Sequence, residues 1–321
     1  MKYEIKQGDA LEVLCTMPDE SVNCCVTSPP YWGLRDYGVP GQIGIENTLE
    51  DYIQKMVEVF WDVKRILKKD GTLWLNLGDT YFGSGCGTND YRTEASRSLN
   101  KSDEAYNKYP PQKKTKHQFL KSKDLCGIPW RVAFALQSDG WYLRSDIIWH
   151  KPNPMPESVT DRPTKAHEYI FLLAKSSKYH YDSRAIMEPL AQKEKYNSQL
   201  LNFSNDRKNK YGEGRNAINP KTLEKHRLKA LEEGRNKRSV WTIATHPYPE
   251  AHFATFPESL VRPCILAGCP EGGGVLDPFC GAGTTGLVAL KLMRNFIGIE
   301  LNPSYVTMAT KRIEGEMGLF V

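Results

Sequence analysis

The sequence predicts an α/β protein with a mostly parallel sheet of about seven strands. Short runs of apolar, β-branched or aromatic residues recur at 3–6, 22–27, 72–77, 142–149, 168–174, 274–277 and 296–301. Most of these runs are continuous rather than alternating, which is typical of strands covered on both faces. Helical patterns lie between them, as expected when parallel strands are joined by crossover helices.

The predicted helices have recognisable starts and stops. The pattern LEDYIQKMVEVFWDVKRILKKDG carries one apolar stripe and is followed by Gly71, a predicted stop. The pattern IPWRVAFALQSDG has proline near its start and glycine at its end. Three more patterns occupy the C-terminal part, and the last begins with Asn302 as N-cap and Pro303 at the first helical position.

Two polar segments interrupt this alternation. Residues 85–124 are rich in Gly, Ser, Asn and Lys and are expected to form a long loop, a candidate for DNA contact. Residues 191–240 hold 13 Lys and Arg against 6 Asp and Glu, although the whole chain carries only +5. Such a basic segment favours a polyanionic partner. We therefore expect a catalytic domain formed by 1–190 and 241–321, with 191–240 as an inserted recognition segment.

Composition narrows the class of protein. The 321 residues are 40% hydrophobic and 25% charged, an ordinary globular composition. No run approaches 18 apolar residues and the N-terminus lacks a signal-peptide pattern, so no membrane association and a cytoplasmic location are expected. The eight cysteines form no Cys-x-x-Cys pair or zinc-type spacing, so no metal site is expected.

A glycine-rich turn near the C-terminus predicts a cofactor site. In GVLDPFCGAGTTGLVALKLMRNFIGIELNP a strand runs into Gly281–Gly286 and then into a helix, and the next strand ends at Glu300. Glycines let the backbone approach a ligand, and an acid at the end of the next strand can bind ribose hydroxyls. This context indicates an adenosine-containing cofactor.

Asp277 distinguishes between two such cofactors. An acid at the mouth of the loop would repel a pyrophosphate but could accept a hydrogen bond from an ammonium group. S-adenosylmethionine, which ends in a charged amino acid, is therefore favoured over NAD.

The stretch TSPPYW follows the apolar run VNCCV. Two consecutive prolines cannot continue a central strand or a helix interior. A hydroxyl, two prolines and two aromatics suit a pocket at the end of a strand.

Taken together, TSPPYW and DPFCGAGTTG…FIGIELNP resemble the amino-group DNA methyltransferases, which modify N4 of cytosine or N6 of adenine. The catalytic motif precedes the basic segment and the cofactor motif comes last, an order similar to the circularly permuted β group of that family. The stretches GDALEVL, KPNPMPESVTDRPTKAHEYIFLLAKS and FATFPESLVRPCIL share the resemblance. It implies a Rossmann-like S-adenosylmethionine-dependent methyltransferase fold, double-stranded DNA as substrate and, as a candidate partner, a cognate restriction endonuclease.

The resemblance gives TSPPYW a catalytic role. The lone pair of a base amine is delocalised into the ring, so acceptors that take its two N–H bonds would aim a lone pair at the methyl donor. Ser28 Oγ and the Pro29 carbonyl are the expected acceptors, and Pro29 and Pro30 make the turn rigid. Tyr31 offers a face for a flipped base, and Trp32 is expected to extend that wall.

The resemblance also implies the cofactor contacts. Phe279, Gly281, Gly283 and Thr284 would cradle the methionine part. Asp277 would lie near the ammonium group and Glu300 would hold the ribose.

Three further positions match family segments near the cofactor, and each has a structural alternative. Asp9 matches a position near the adenine, but it could equally cap the helix that starts at Ala10. Phe256 and Pro257 match a segment that packs against the cofactor, with core packing as the alternative.

The sequence leaves alternatives open for the target base and for the class of reaction. Serine at position 28 favours N4 of cytosine, with N6 of adenine as runner-up. Methylation at C5 needs a cysteine nucleophile, and Cys264 lies among helical core positions, so that reaction is rejected. An NAD-dependent oxidoreductase leaves TSPPYW and the basic segment without roles, and a non-catalytic nucleic-acid-binding protein leaves the cofactor pocket unexplained. RNA or protein-glutamine methylation is a closer alternative, but the motif order and basic segment favour DNA.

The basic segment is expected to recognise the target sequence. Its candidate DNA contacts are Arg207, Lys208, Arg215 and Arg238. Phosphate contact is the commoner role for such side chains, and it makes binding salt-dependent.

Overall fold

The structure is a computed structural model that describes residues 1–34, 39–83, 117–189, 234–245 and 256–318. Within these ranges one sheet contains eight strands, in the order β1-β8-β7-β2-β3-β5-β4-β6. The strands are β1 Tyr3–Gln7, β2 Val22–Thr27, β3 Leu67–Leu77, β4 Tyr142–His150, β5 His167–Ala174, β6 Val240–Thr242, β7 Gly274–Asp277 and β8 Asn295–Glu300.

The mostly parallel sheet predicted from the sequence is confirmed. Neighbouring strands are parallel except where β5 pairs antiparallel with β3 and with β4. Strand β6, which pairs with β4, was not predicted, because three residues are too few to show a periodicity.

Six α-helices are described in these ranges: α1 Ala10–Cys15, α2 Leu49–Ile66, α3 Ile128–Ser138, α4 Glu258–Gly268, α5 Thr284–Lys291 and α6 Pro303–Met317. The predicted cap of α6 is confirmed, since Asn302 Oδ1 accepts from the Ser304 amide at 3.0 Å. The predicted stop at Gly71 is wrong. Helix α2 ends at Ile66, and Leu67 begins β3 in register with Val22 of β2.

The core has two layers because successive strand side chains point to opposite faces. Leu73 and Leu75 of β3 join the apolar cluster that holds the buried side of α2 and α3. Trp74 faces α4, where a Cβ on Gly268 would lie 2.4 Å from Trp74 Nε1. Glycine at 268 therefore lets α4 lie close against the sheet.

The order of the strands identifies the binding edge of the sheet. From β2 the chain crosses to β3 on one side, and from β7 it crosses to β8 on the other. Ligands of open α/β sheets bind outside the carboxyl ends of the strands at such a switch point. The turns that follow β2 and β7 are TSPPYW and the glycine-rich loop.

A second compact unit spans Asp182–Arg238. Its described parts are its two ends, where Glu188 and Arg235 exchange backbone hydrogen bonds. Most of the predicted insertion 191–240, and residues 85–116 of the predicted loop, lie outside the described residues. In the described ranges, no helix is long and apolar enough to cross a bilayer and no metal-binding cluster of His, Cys, Asp or Glu occurs.

Candidate active site

A buried carboxylate joins the two predicted motifs. Asp277, at the end of β7, is 1% exposed. Its Oδ1 accepts from Thr27 Oγ1 at 2.6 Å and from the Phe279 amide at 3.0 Å, and its Oδ2 accepts from Thr285 Oγ1 at 2.7 Å. Burial raises the pKa of Asp277 to about 6, and the hydrogen bonds offset burial only in part.

Two glycines of the glycine-rich loop, Gly281 and Gly283, have different surroundings and different roles. Gly283 has φ +77° as the N-cap of α5, and a Cβ there would lie 2.9 Å from the Cβ of Ala309. Gly281 has φ +53°, but a Cβ there would meet no atom closer than 4.0 Å. Gly283 is thus required for packing against α6, whereas Gly281 leaves open space in front of the loop.

Glu300 ties the end of β8 to this loop. Its Oε2 accepts from the Gly281 amide and its Oε1 from the Asn302 amide, both at 2.8 Å. Burial raises the pKa of Glu300, and the two amides act in the opposite direction. Each carboxylate oxygen can accept a further hydrogen bond, so the side chain retains capacity for a ligand.

The hydroxyl of Thr284 and the carboxylate of Asp9 are both bonded within the protein. Thr284 is 4% exposed and its Oγ1 accepts from Arg312 Nη1 at 2.9 Å. Asp9 Oδ1 caps α1 by accepting from the amides of Leu11 and Glu12. The capping alternative predicted for Asp9 is therefore what the structure shows.

The segment before α4 lies beside Thr27, at the end of β2. Phe256 lines an apolar pocket together with Thr27, Asn76 and Ile170. Pro257 is the N-cap of α4, and its carbonyl accepts from the Leu260 amide at 2.9 Å. Phe279, after β7, packs at the margin of the main core cluster.

The TSPPYW turn presents acceptors at the end of β2. Ser28 Oγ lies 3.3 Å from Tyr31 Oη. The Pro30 carbonyl accepts from Tyr52 Oη at 2.9 Å. The Pro29 carbonyl, by contrast, accepts no hydrogen bond from the part of the chain that the structure describes.

The two aromatics of the turn face different surroundings. A Cβ on Gly78 would lie 2.5 Å from Tyr31 Cε2, so this glycine makes room for the tyrosine ring. Trp32 is 2% exposed, and its Nε1 donates to the Glu46 carbonyl at 3.0 Å. The expectation that Trp32 extends the wall for the base is therefore wrong, since its ring belongs to the core.

A polar cluster that the sequence reasoning missed surrounds Tyr31. Tyr31 Oη donates to Glu168 Oε2 at 2.8 Å, and Asn76 Nδ2 donates to the same oxygen at 3.2 Å. Lys151 Nζ pairs with the other oxygen of Glu168. Burial raises the pKa of Glu168, but Lys151 and the two hydrogen bonds more than offset it, so the pKa lies below its ordinary value.

The predicted DNA contacts are described at one position. Arg238, in the second unit, has a side chain 69% exposed, and its Nε lies 3.6 Å from Glu188 Oε2. Arg207, Lys208 and Arg215 lie outside the described residues.

The site combines residues that the sequence predicted with residues that it did not. The structure brings Ser28 and Tyr31 beside the glycine-rich loop through Thr27 and Asp277. The threonines at 27 and 285 were missed, although both lie inside quoted motifs. Lys151 and Glu168 were missed too, although they lie within the KPNP…AHEYIFLL stretch that carried the resemblance.

Comparison with known proteins identifies the family. A family model described as DNA methylase matches residues 22–311. The chain belongs to this family. The amino-group DNA methyltransferase predicted from the two motifs is therefore confirmed at the level of the family, and the oxidoreductase alternative is not favoured.

Curated relatives match over nearly their whole length. The type II methyltransferase M.SmaI of Serratia marcescens is 48% identical over 306 residues, which cover 95% of this chain and 89% of the relative. M.Cfr9I of Citrobacter freundii, also a type II methyltransferase, is 46% identical over 310 residues, covering 97% and 87%.

Solved structures share the fold. The PvuII DNA methyltransferase, described as cytosine-N4-specific, superposes with a TM-score of 0.63 at 18% identity, covering 97% of this chain and 86% of that one. A DNA modification methylase of Thermus thermophilus, described as putative and complexed with S-adenosyl-L-methionine, has a TM-score of 0.57 at 22% identity, covering 98% and 96%. The predicted methyltransferase fold is thus confirmed.

Proposed function

We propose that this DNA methylase transfers a methyl group from S-adenosylmethionine to N4 of a flipped cytosine in double-stranded DNA. The observation that carries the proposal is the 2.6 Å hydrogen bond between Thr27 and Asp277. It fixes the residue before the predicted amine acceptor against the residue that opens the predicted cofactor loop. Methyl acceptor and methyl donor sites would thus share one edge of the sheet.

The residues at the loop fit the cofactor. S-adenosylmethionine, when bound, supplies an electrophilic methyl group on a sulfonium. Gly281 leaves open space for the methionine part, beside Phe279, Gly283 and Thr284. Glu300 retains acceptor capacity for ribose hydroxyls while holding the loop through Gly281.

Asp277 contributes mainly through its charge. Its oxygens already hold Thr27, Thr285 and the Phe279 amide, so the carboxylate is fixed before any ligand arrives. With a pKa raised to about 6, it is ionised at neutral pH and attracts the cofactor ammonium. Asp9, Phe256 and Pro257 would border the cofactor from α1 and α4 rather than supply charge to the methionine end.

Ser28 Oγ and the Pro29 carbonyl are the proposed acceptors for the two N–H bonds of the target amine. The Pro30 carbonyl accepts from Tyr52 Oη, and this hydrogen bond fixes the turn. Preorganised acceptors at a reacting nitrogen lower the barrier without reorganisation during the reaction. The ring of Tyr31, set against Gly78, stacks on the flipped base.

Serine at position 28 supports cytosine as the target, and N6 of adenine is the second candidate. Arg207, Lys208, Arg215 and Arg238, within the recognition segment 191–240, are proposed to contact DNA. A cognate restriction endonuclease as partner is proposed because the relatives are named type II methyltransferases, and a cytoplasmic location is proposed with it. The following test decides the target base and whether DNA is the substrate.

The test incubates the wild-type protein with labelled S-adenosylmethionine and mixed-sequence duplex DNA, followed by digestion and mass spectrometry of the nucleosides. N4-methyldeoxycytidine is expected. N6-methyldeoxyadenosine would keep the geometry and overturn the base, and no labelled nucleoside would overturn DNA as substrate.

A serine pair tests the catalytic assignment. We expect Ser28→Ala to lower turnover more than cofactor affinity, because it removes an acceptor at the amine. The matched control is Ser21→Ala, at the opposite end of β2, where the hydroxyl donates to the Pro18 carbonyl. Equal losses of turnover in the two variants would remove Ser28 from the reaction.

A further inference from the structure

The hydroxyl of Ser28 carries one proton, and the role proposed above requires this proton to point away from the target amine. A serine hydroxyl both donates and accepts hydrogen bonds. A donor facing the amine would compete with the N–H bonds that Ser28 must accept. Some neighbouring group must therefore accept the hydrogen bond that the serine hydroxyl donates.

Tyr31 is placed to be that neighbour. Its Oη lies 3.3 Å from Ser28 Oγ, within reach of the serine proton. The phenol has a single proton of its own, for which Glu168 Oε2 at 2.8 Å and Asn76 Oδ1 at 3.3 Å compete. The closer, ionised acceptor forms the stronger bond. With its O–H donated in a hydrogen bond to Glu168, Tyr31 Oη turns its lone pairs toward Ser28.

Glu168 is held as a charged acceptor. Its side chain is 16% exposed and that of Lys151 is 19% exposed, so the pair is largely removed from water. Asn76 Nδ2 donates to Glu168 Oε2 at 3.2 Å and to the Tyr169 carbonyl at 3.0 Å. The amide group of Asn76 is thereby fixed with its oxygen toward Tyr31, and every donor around Glu168 favours the carboxylate.

We propose, on the basis of the proposed function, that Glu168 is a positioning residue that orients the Ser28 hydroxyl through Tyr31. Donation runs in one direction, from Ser28 to Tyr31 and from Tyr31 to Glu168, which leaves the lone pairs of Ser28 for the amine. No proton is transferred and no covalent bond breaks along this series of hydrogen bonds. Lys151 sets the direction because it keeps the final acceptor ionised.

The test compares Glu168→Gln, Tyr31→Phe and their double variant. In Glu168→Gln, the new side-chain amide can donate to Tyr31, which turns the phenol proton toward Ser28 and the serine proton toward the amine. Each single variant is expected to slow single-turnover methyl transfer about 10- to 100-fold, the worth of one charge-assisted hydrogen bond. Cofactor affinity should stay within about threefold, and the double variant should be no slower than the slower single one.

A matched control separates positioning from loosening of the turn. Tyr52→Phe removes the hydrogen bond to the Pro30 carbonyl, so it weakens the same turn outside the proposed chain. In a double variant, the rate reductions caused by Tyr52→Phe and Glu168→Gln should multiply. The reductions caused by Tyr31→Phe and Glu168→Gln should not. Multiplicative effects of Tyr31→Phe and Glu168→Gln would overturn the proposal.

A second measurement does not depend on activity. In protein labelled with ¹³C at tyrosine Cζ, the Tyr31 resonance is assigned as the one that is absent from the spectrum of Tyr31→Phe. Burial and the charge of Glu168 raise the pKa of Tyr31 well above its ordinary value. Glu168→Gln removes that charge from the 2.8 Å contact and should shift the Tyr31 Cζ resonance at neutral pH, and an unchanged resonance would overturn the contact.

The outcomes separate the two proposals. Wild-type protein that methylates cytosine, with both single variants at the wild-type rate, overturns the positioning role alone. Wild-type protein that methylates no DNA overturns the proposed function and the positioning role together.

Discussion

A fully buried carboxylate, Asp277, and a largely buried one, Glu168, lie on either side of the TSPPYW turn, and their environments act on them in opposite ways. Asp277 is surrounded by neutral donors, two threonine hydroxyls and one amide, and its pKa is raised to about 6. Glu168 has Lys151 as an ion-pair partner, and its pKa is lowered. Neutral hydrogen bonds thus reduce the effect of burial on a carboxylate, whereas a cation reverses it.

The difference matches what each carboxylate is proposed to do. A cation beside Asp277 would cancel the negative charge that attracts the cofactor ammonium. A missing cation beside Glu168 would let that side chain protonate and cease to be a fixed acceptor for Tyr31. Each environment therefore preserves the property on which its own half of the site depends.

The largest effect is expected from removing the cation. Lys151→Met leaves the Glu168 charge buried without its partner, and we expect a loss of about 3–5 kcal/mol in the free energy of unfolding. Urea denaturation at neutral pH measures it. The control is Lys123→Met, because Lys123 pairs with Asp161 while 81% exposed and should leave stability unchanged. Equal losses in the two variants would show that Glu168 does not need Lys151.

Opposite dependences on pH would sharpen the comparison. Asp277 binds its proton more tightly in the folded chain, so its contribution to stability is complete below its ordinary pKa of 3.8 and is lost as the pH rises through about 6. Glu168 has a lowered pKa, so its contribution is present above its ordinary value of 4.5 and is lost as the pH falls through its folded-state pKa.

Urea denaturation between about pH 3 and 7 tests both signs against isosteric amides. Relative to Asp277→Asn, the wild type should lose up to about 3 kcal/mol of unfolding free energy as the pH rises. Relative to Glu168→Gln, it should lose stability as the pH falls below 4.5. Glu300 is present in every variant, so its own titration cancels. Slopes of the same sign would contradict the assignment.

A smaller effect is expected from removing one neutral donor. Thr285 is fully buried, and Thr285→Val deletes its hydrogen bond to Asp277 with little change in volume. We expect a loss of about 1–3 kcal/mol at neutral pH, the cost of a buried carboxylate that is left short of a donor. Thr307→Val is the control, because that hydroxyl donates to the Pro303 carbonyl on the surface of α6. A similar loss at both threonines would mean that the Asp277 contact is unimportant.

The smallest effect is expected at Glu300, which holds the loop through two amides. Glu300→Gln should weaken the binding of S-adenosylmethionine about tenfold, or ~1.4 kcal/mol, because the amide offers one acceptor in place of two. Calorimetric titration measures this affinity, and Glu58→Gln on the exposed side of α2 provides the control. Unchanged affinity in Glu300→Gln would remove this residue from the cofactor site.

The sequence could predict the sheet because burial on both faces leaves continuous apolar runs. All seven predicted strands are present, and the missing one, β6, is three residues long. The boundary between α2 and β3 was misplaced for a related reason. Leu67 continues the apolar stripe of the helix in the sequence. Its pairing with Val22 of β2, which is distant in sequence but adjacent in the sheet, makes it the first residue of β3 instead.

At the site, motif order predicted which loops meet, but not which side chains hold them. The partner of Tyr31 depends on β5 lying antiparallel beside β3, where Asn76 is in register with Ile170 and Glu168 lies just beyond. Nothing in the local sequence around Glu168 reveals that pairing. Tyr31 and Trp32 are adjacent aromatics, and the three-dimensional turn alone separates the site residue from the core residue.

The hydrogen bond from Thr27 to Asp277 joins residues 250 positions apart. At roughly 5–20 residues per second, a ribosome needs on the order of 10–50 s to make the intervening chain. Until then, β2 lacks β7 as its neighbour and the turn after it lacks the carboxylate that anchors Thr27. Methyl-transfer capacity thus cannot arise before β7 and the loop after it have been synthesised.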